Sequence, residues 1–144
     1  MDSSDVIVEQ VYATAPAAVW SAISNVAEMR QWYFPLQAFT AEVGFRFSFV
    51  SGNSEGKPYL HLCEVIEVIP EKKLSYTWQY EGLPGCTTVS FGLLEHSSGT
   101  LLRLTHSGIE TLAEGGADFK KENFVGGWTY FLQTALADYL KTNT

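Results

Sequence analysis

The chain is poor in cysteine, poor in positive charge and free of long apolar runs, and each scarcity closes off a class of protein. Its 144 residues hold two cysteines, Cys63 and Cys86, with no CxxC pair and no His/Cys cluster. That composition is neither a disulfide framework nor a zinc site. In the strand order expected below, one strand lies between the two cysteines, roughly 9–10 Å apart and beyond disulfide reach. Two free thiols imply a reducing compartment. The opening Met1-Asp2-Ser3-Ser4-Asp5 is polar and acidic rather than basic and then apolar, so no secretory signal is expected and the expected location is cytoplasmic. Nine Lys and Arg, none in a run, stand against 16 Asp and Glu, for a formal net charge of −7. Nucleic acid and anionic membrane are therefore not expected as partners, because such binding depends on clustered cations displacing counterions. No stretch reaches the roughly 18 consecutive apolar residues that membrane insertion requires.

What is present is a foldable, aromatic-rich chain. Hydrophobic residues make up 46% and charged residues 17%, which excludes a disordered acidic tail. Four Trp, seven Tyr and nine Phe are enough to fill a core or to line a small-molecule pocket. Without repeats or linker-like stretches, residues 1–144 are expected to form one domain.

A first strand is expected from Val6 to Thr14. Pro16 suits the first turn of a short helix with Val19, Trp20 and Ile23 on one face. Asn25 followed by Glu28 resembles a capping box, so a second short helix is expected to run to about Trp32 and end before Pro35. From Phe39 onward the period changes to two: Phe45, Phe47 and Phe49 alternate with Arg46 and Ser48. Ser51-Gly52-Asn53-Ser54-Glu55-Gly56 marks a turn. The next strand, about Pro58 to Ile69, slips its alternation near Val65-Ile66, which predicts a bulge. Leu74, Tyr76, Trp78 and Tyr80 form the clearest strand face. Val89, Phe91 and Leu93, then Leu102, Leu104 and His106, form two more. The short connections predict antiparallel hairpins. After Gly115-Gly116, the residues Phe124, Trp128, Phe131, Leu132, Ala135, Leu136, Tyr139 and Leu140 recur at helical spacing. They give a long amphipathic helix whose stripe must lie on the concave sheet face.

That order is α+β: a curved antiparallel sheet of about six or seven strands around a long C-terminal helix, with two short helices after the first strand. The residues carry the match further. Ala15-Pro16-Ala17-Ala18-Val19-Trp20 resembles the AP-x-x-VW opening of the activator of heat-shock-protein-90 ATPase homologue family, a branch of the SRPBCC superfamily with the START-like, helix-grip fold. Trp32-Tyr33, Gly44-Phe45-Arg46-Phe47 and the run from Glu67 to Trp78 resemble its WW or WF, G-x-F and EI-x-P-x-x-RL-x-x-TW motifs, with Lys73 where Arg is commoner. The run from Thr100 to Gly108 resembles T-x-L-x-L-THSG, and Gly126-Gly127-Trp128 with Leu132 and Leu136 resembles the closing GW-x-x-x-L-x-x-L. The resemblance runs from about Val6 to Leu140 and implies a fold and an interior cavity. Founding members carry an additional N-terminal domain, whereas this chain is expected to consist of the START-like domain alone.

Candidate cavity-lining residues come from every inward face: Trp32 from the second helix, Phe47 and Phe49, then Tyr59 and His61. Tyr76, Trp78 and Tyr80 follow from the next strand, and Phe91, Leu104 and His106 from the last two. The final helix contributes Phe124, Trp128 and Phe131. The polar tips of His61, Tyr76, Tyr80 and His106 are the candidates for selectivity; each histidine is read first as a hydrogen-bonded structural residue. His96 falls in a turn and is expected in solvent. His61, Glu64 and Glu67 do not make a metal site, because strand residues three apart face opposite ways. Gly126-Gly127 inside a helix costs roughly 1 kcal/mol per glycine and is expected to reflect close helix–sheet approach or a late or kinked helix start; room for a ligand is the other reading. No cofactor is implied. The expected function is binding of a small apolar or amphipathic ligand. A co-chaperone-like interaction module and an enzyme using His106 as acid or base are the alternatives, and a monomer and a homodimer are equally compatible with the sequence.

Overall fold

The computed structural model describes residues 5–52 and 58–142; the expected turn at 53–56 and the N-terminal residues 1–4 lie outside the described residues. The strands obey the period of two that their sequences impose. In β4 (Lys73–Tyr80), Leu74, Tyr76, Trp78 and Tyr80 are buried together, and Gln79 on the other face is exposed. β2 (Arg46–Gly52) buries Phe47 and Phe49. β5 (Thr87–His96) buries Val89, Phe91 and Leu93, and β6 (Gly99–Ser107) buries Leu102, Leu104 and His106. With β1 (Val6–Tyr12) and β3 (Pro58–Ile69) they form an antiparallel sheet of order β1-β6-β5-β4-β3-β2, six strands among the described residues. β1 ends two residues short of Thr14, where the chain bends ahead of Pro16. The expected bulge is present: the β3–β4 register shifts between Val65 and Glu67, and Ile66 turns outward. A bulge of this kind bends the strand and adds to the curvature of the sheet. The β5–β6 turn depends on Gly99, whose φ of 142° suits glycine and where a Cβ would fall 2.1 Å from the Tyr12 carbonyl.

Two short helices carry the chain from edge strand β1 to edge strand β2. α1 (Pro16–Ser24) buries Val19, Ala22 and Ile23, and α2 (Val26–Trp32) buries Met29 and Trp32. The Trp32 indole N–H donates to the Ala22 carbonyl at 2.9 Å and ties the two together. Asn25 caps α2 by accepting the Glu28 amide, but the reciprocal half of the capping box is absent. The Asn25 amide bonds Ser21, and the Glu28 carboxylate accepts from the Ser21 and Tyr139 hydroxyls instead. Glu28 thus joins α1, α2 and the C-terminal helix. Arg30 donates to the carbonyls of Leu36 and Gln37, both at 2.7 Å, and holds the segment that follows Tyr33.

The C-terminal helix is interrupted. α3 (Lys121–Tyr130) passes through a π-helical turn at Phe131–Ala135 into α4 (Leu136–Thr142). In that turn the Leu136 amide reaches back to the Phe131 carbonyl, and the Leu132 carbonyl accepts the Tyr12 hydroxyl from β1 at 2.6 Å. A widened turn displaces backbone groups from their regular partners, and Tyr12 satisfies one of them. Leu132 and Leu136 are fully buried. Gly126 and Gly127 lie well inside α3, and a Cβ built on either meets nothing within 4 Å. Neither close packing nor a late helix start accounts for them, which corrects those two parts of the expectation. Ahead of α3, the 3₁₀ segment Ile109–Phe119, kinked at Gly116, buries Ile109, Leu112 and Phe119.

Tyr12→Phe should cost about 1–3 kcal/mol in a urea titration, because it strands a buried carbonyl. Tyr130→Phe, at an exposed position, should stay within roughly 0.5 kcal/mol of the parent protein. Equal stabilities for the two variants would show that the Tyr12 hydroxyl does not support the π turn.

Candidate functional site

Strand register gathers the site at one end of the sheet. Ser51 stands opposite Tyr59, and His61 opposite Tyr80. These ends, with Phe119 and the inner side of α3, enclose a cleft of about 350 Å³, within the usual range of small-molecule sites. Of the sequence-predicted residues, Tyr59, His61, Trp78, Tyr80, Phe124, Trp128 and Phe131 are on its wall. Trp32, Phe47, Phe49, Tyr76, Phe91, Leu104 and His106 are buried in the packed interior and are not among its lining residues. The period of two put the strand residues among them on one face, but the helices cover that face unevenly.

The wall also contains Phe34, Ser51, Gly52, Phe119, Asn123 and Gly127. Phe34 and Phe119 come from irregular segments that no periodicity marks. Phe34 sits in the segment held by Arg30, stacked on Phe49 at 4.4 Å and within 5.0 Å of Phe131. Phe119 packs edge-on against Tyr80 and Tyr59, at 4.7 and 5.1 Å. Gly115 leaves room for that ring, since a Cβ there would fall 2.2 Å from Phe119 Cδ2. A large aromatic directly before Pro35, and another three residues after Gly115-Gly116, were the available signals.

Beneath the cleft, one directional chain of hydrogen bonds joins helix to sheet. The Trp128 indole N–H donates to His106 Nδ1 at 3.1 Å. His106 Nε2–H donates to the Thr87 hydroxyl at 2.8 Å, and that hydroxyl donates to the Trp78 carbonyl at 2.7 Å. An indole can only donate, and the Thr87 proton goes to a carbonyl, so His106 is the neutral tautomer with hydrogen on Nε2. Burial lowers its pKa to about 3. Both ring nitrogens are engaged, which makes His106 a structural residue and leaves it no open site for acid–base work on a ligand.

His61 lies on the cleft wall, its ring stacked on Phe49 at 4.4 Å. Its Nδ1 donates to the Tyr59 carbonyl at 3.0 Å, so Nε2 is the unprotonated nitrogen of the neutral ring. Burial lowers its pKa to about 4, outweighing the upward pull of the Tyr59 and Phe49 carbonyls. The Trp78 indole donates to the Tyr80 hydroxyl at 2.8 Å. Away from the cleft, the Tyr33 and Tyr76 hydroxyls bond each other at 2.6 Å, and burial pushes both pKa values well up. His96 is exposed, as its turn position predicts. Glu64 faces Arg46 at 3.1 Å and Glu67 faces Lys73 at 3.0 Å. Among the described residues no group of three His, Cys, Asp or Glu is placed to hold a metal, and no helix is long and apolar enough to cross a membrane.

A curved antiparallel sheet closed by a C-terminal helix, with a cleft between them, defines the START-like, helix-grip class. The chain belongs to the family described as Activator of Hsp90 ATPase homolog 1-like protein, whose model matches residues 13–141. A crystal structure from Mesorhizobium loti is 26% identical, covers 97% of this chain and 98% of its own, and superposes with a TM-score of 0.80. A Bacillus halodurans protein solved in solution is 25% identical over 94% of this chain and 96% of its own, with a TM-score of 0.74. A Chromobacterium violaceum crystal structure shares the fold at 20% identity and a TM-score of 0.78, over 95% and 96% of the two chains. No curated protein matches the chain.

The two buried histidines fix a sign for acid sensitivity. Each is neutral when folded and titrates near 6.5 when unfolded, so the unfolded state binds more protons between those values. Their contribution is complete above about pH 6.5 and is lost as pH falls toward about 4 for His61 and about 3 for His106. Between pH 4.5 and 6, each should add about 1.4 kcal/mol per pH unit to the slope of stability against pH. His106→Gln should remove one such increment; an unchanged slope would mean that His106 is charged in the folded protein.

Proposed function

We propose that this protein binds a small, largely apolar or amphipathic molecule in the cleft between the open end of the sheet and α3. One observation carries the reading: aromatic side chains from five separate parts of the chain converge there and leave about 350 Å³ unfilled. Close packing is the rule in protein interiors, and an unfilled space of that size gives up the contacts that would otherwise fill it. The wall has the usual composition of a ligand site, predominantly aromatic with a few polar tips. Gly127 supports the same reading. It replaces a wall side chain with bare helix backbone, at a cost of roughly 1 kcal/mol relative to alanine.

The family of the chain is consistent with this role, since its fold places a helix across the concave face of a sheet. The aromatic wall sets the kind of contact expected: ring faces and edges against apolar carbon, with hydroxyls, one amide and one imidazole fixing orientation.

A thermal-shift screen of small amphipathic compounds tests the proposal. A ligand at about 100 times its Kd should stabilise the fold by roughly 2.7 kcal/mol, a rise of several degrees in Tm. Gly127→Leu places a side chain in open space, so it should fold normally yet weaken the best ligand at least tenfold. Gly126→Ala, outside the wall, should raise stability by about 1 kcal/mol and leave binding intact. A hit that binds Gly127→Leu as tightly as the parent protein would move the site away from this cleft.

A further inference from the structure

We infer that the cleft selects an electrically neutral ligand that offers a hydroxyl or N–H donor, favouring alcohols and phenols over carboxylates of the same skeleton. The inference rests on the reading of the cleft as a ligand site and goes further, because it names what that site rejects.

None of the described residues lining the cleft carries a formal charge. Its polar side chains are Ser51, Tyr59, His61, Tyr80 and Asn123, all neutral groups. Among the described residues, the cations are paired with carboxylates or outside the wall. Arg46, Lys73 and Arg103 pair with Glu64, Glu67 and Glu9. Lys120 and Lys121 are exposed at the start of α3, beside Glu122, and none of the three lines the cleft. A carboxylate entering this space loses its water and meets no cation in the described wall, a combination far costlier than burying a neutral hydroxyl with one hydrogen bond. The net charge of −7 opposes an approaching anion before it arrives.

The hydrogen-bond polarity of the wall adds the second half. His61 gives its one proton to the Tyr59 carbonyl, so the ring's remaining nitrogen is an acceptor. The Tyr80 hydroxyl accepts from the Trp78 indole and keeps its own proton to donate. A ligand hydroxyl, both donor and acceptor, answers both groups. A carboxylate accepts only, and would set its lone pairs against the imidazole lone pair.

Matched pairs provide the test: 2-naphthol with 2-naphthoate and octanol with octanoate, titrated at pH 7 into the full chain. Calorimetry reads the affinity, and amide chemical shifts locate the site. The neutral member of each pair should bind at least tenfold more tightly, with shifts at His61, Tyr80 and Gly127. At pH 5 the carboxylates should gain affinity as they begin to protonate, while the neutral members hold constant. Asn123→Lys, which puts a cation into the wall, should raise the ratio of carboxylate to neutral affinity at pH 7 several-fold. Equal or tighter carboxylate binding at the cleft would overturn the inference and leave the ligand site standing. Absence of binding by every member would overturn the ligand-site reading, and this inference with it.

Discussion

The structure depends on how its C-terminal helix satisfies buried polar atoms where it meets the sheet. Apolar contact alone would let α3 slide or rotate over the aromatic face, because dispersion and hydrophobic burial have little direction. The chain from Trp128 through His106 and Thr87 to the Trp78 carbonyl removes that freedom. Every proton in it points one way, so a shift of the helix would leave a buried donor or acceptor without a partner. At the other end the Tyr12 hydroxyl does the same for the π turn. Two strands therefore set the height and rotation of one helix, and the neutrality of His106 follows from the same burial.

With the helix fixed at these points, the interior divides. Around α2, the indole of Trp32, the Tyr33–Tyr76 hydroxyl pair and the fully buried Met29 and Leu36 fill the space between helix and sheet. Around α3, Gly127 contributes no side chain, and Phe34 and Phe119 stand along the walls. The opening is thus a local consequence of the side chain that Gly127 does not supply, walled in by Phe34 and Phe119. The same aromatic character that packs one half lines the other, and a cleft with neutral polar tips results.

Much of the fold was legible in the sequence because strand and helix periods leave their mark on every second or every third and fourth residue. Phe45-Arg46-Phe47-Ser48-Phe49 and the run from Leu74 to Tyr80 declared which way each side chain faces. The slip at Val65-Ile66 marked the bulge, since an inserted residue must break the alternation. Half of the expected capping box formed, because Asn25 needs only its own helix, whereas Glu28 was drawn to hydroxyls from α1 and α4. The site was legible in part. Its strand and helix residues were named by face, but Phe34 and Phe119 lie in irregular segments whose positions are set by Arg30 and by the 3₁₀ path.

What the sequence determined by itself was therefore the set of inward side chains and the order of the elements, because backbone geometry repeats over short distances and prints its period on the chain. Whether an inward aromatic fills the core or faces a cleft was decided by tertiary structure alone. Tyr76 and Trp78 stand two residues apart on one strand face, yet Tyr76 is locked to Tyr33 and Trp78 borders open space. Their difference lies in what the other layer places opposite each of them. Packing opposite a residue comes from segments distant in sequence, and no local pattern encodes it.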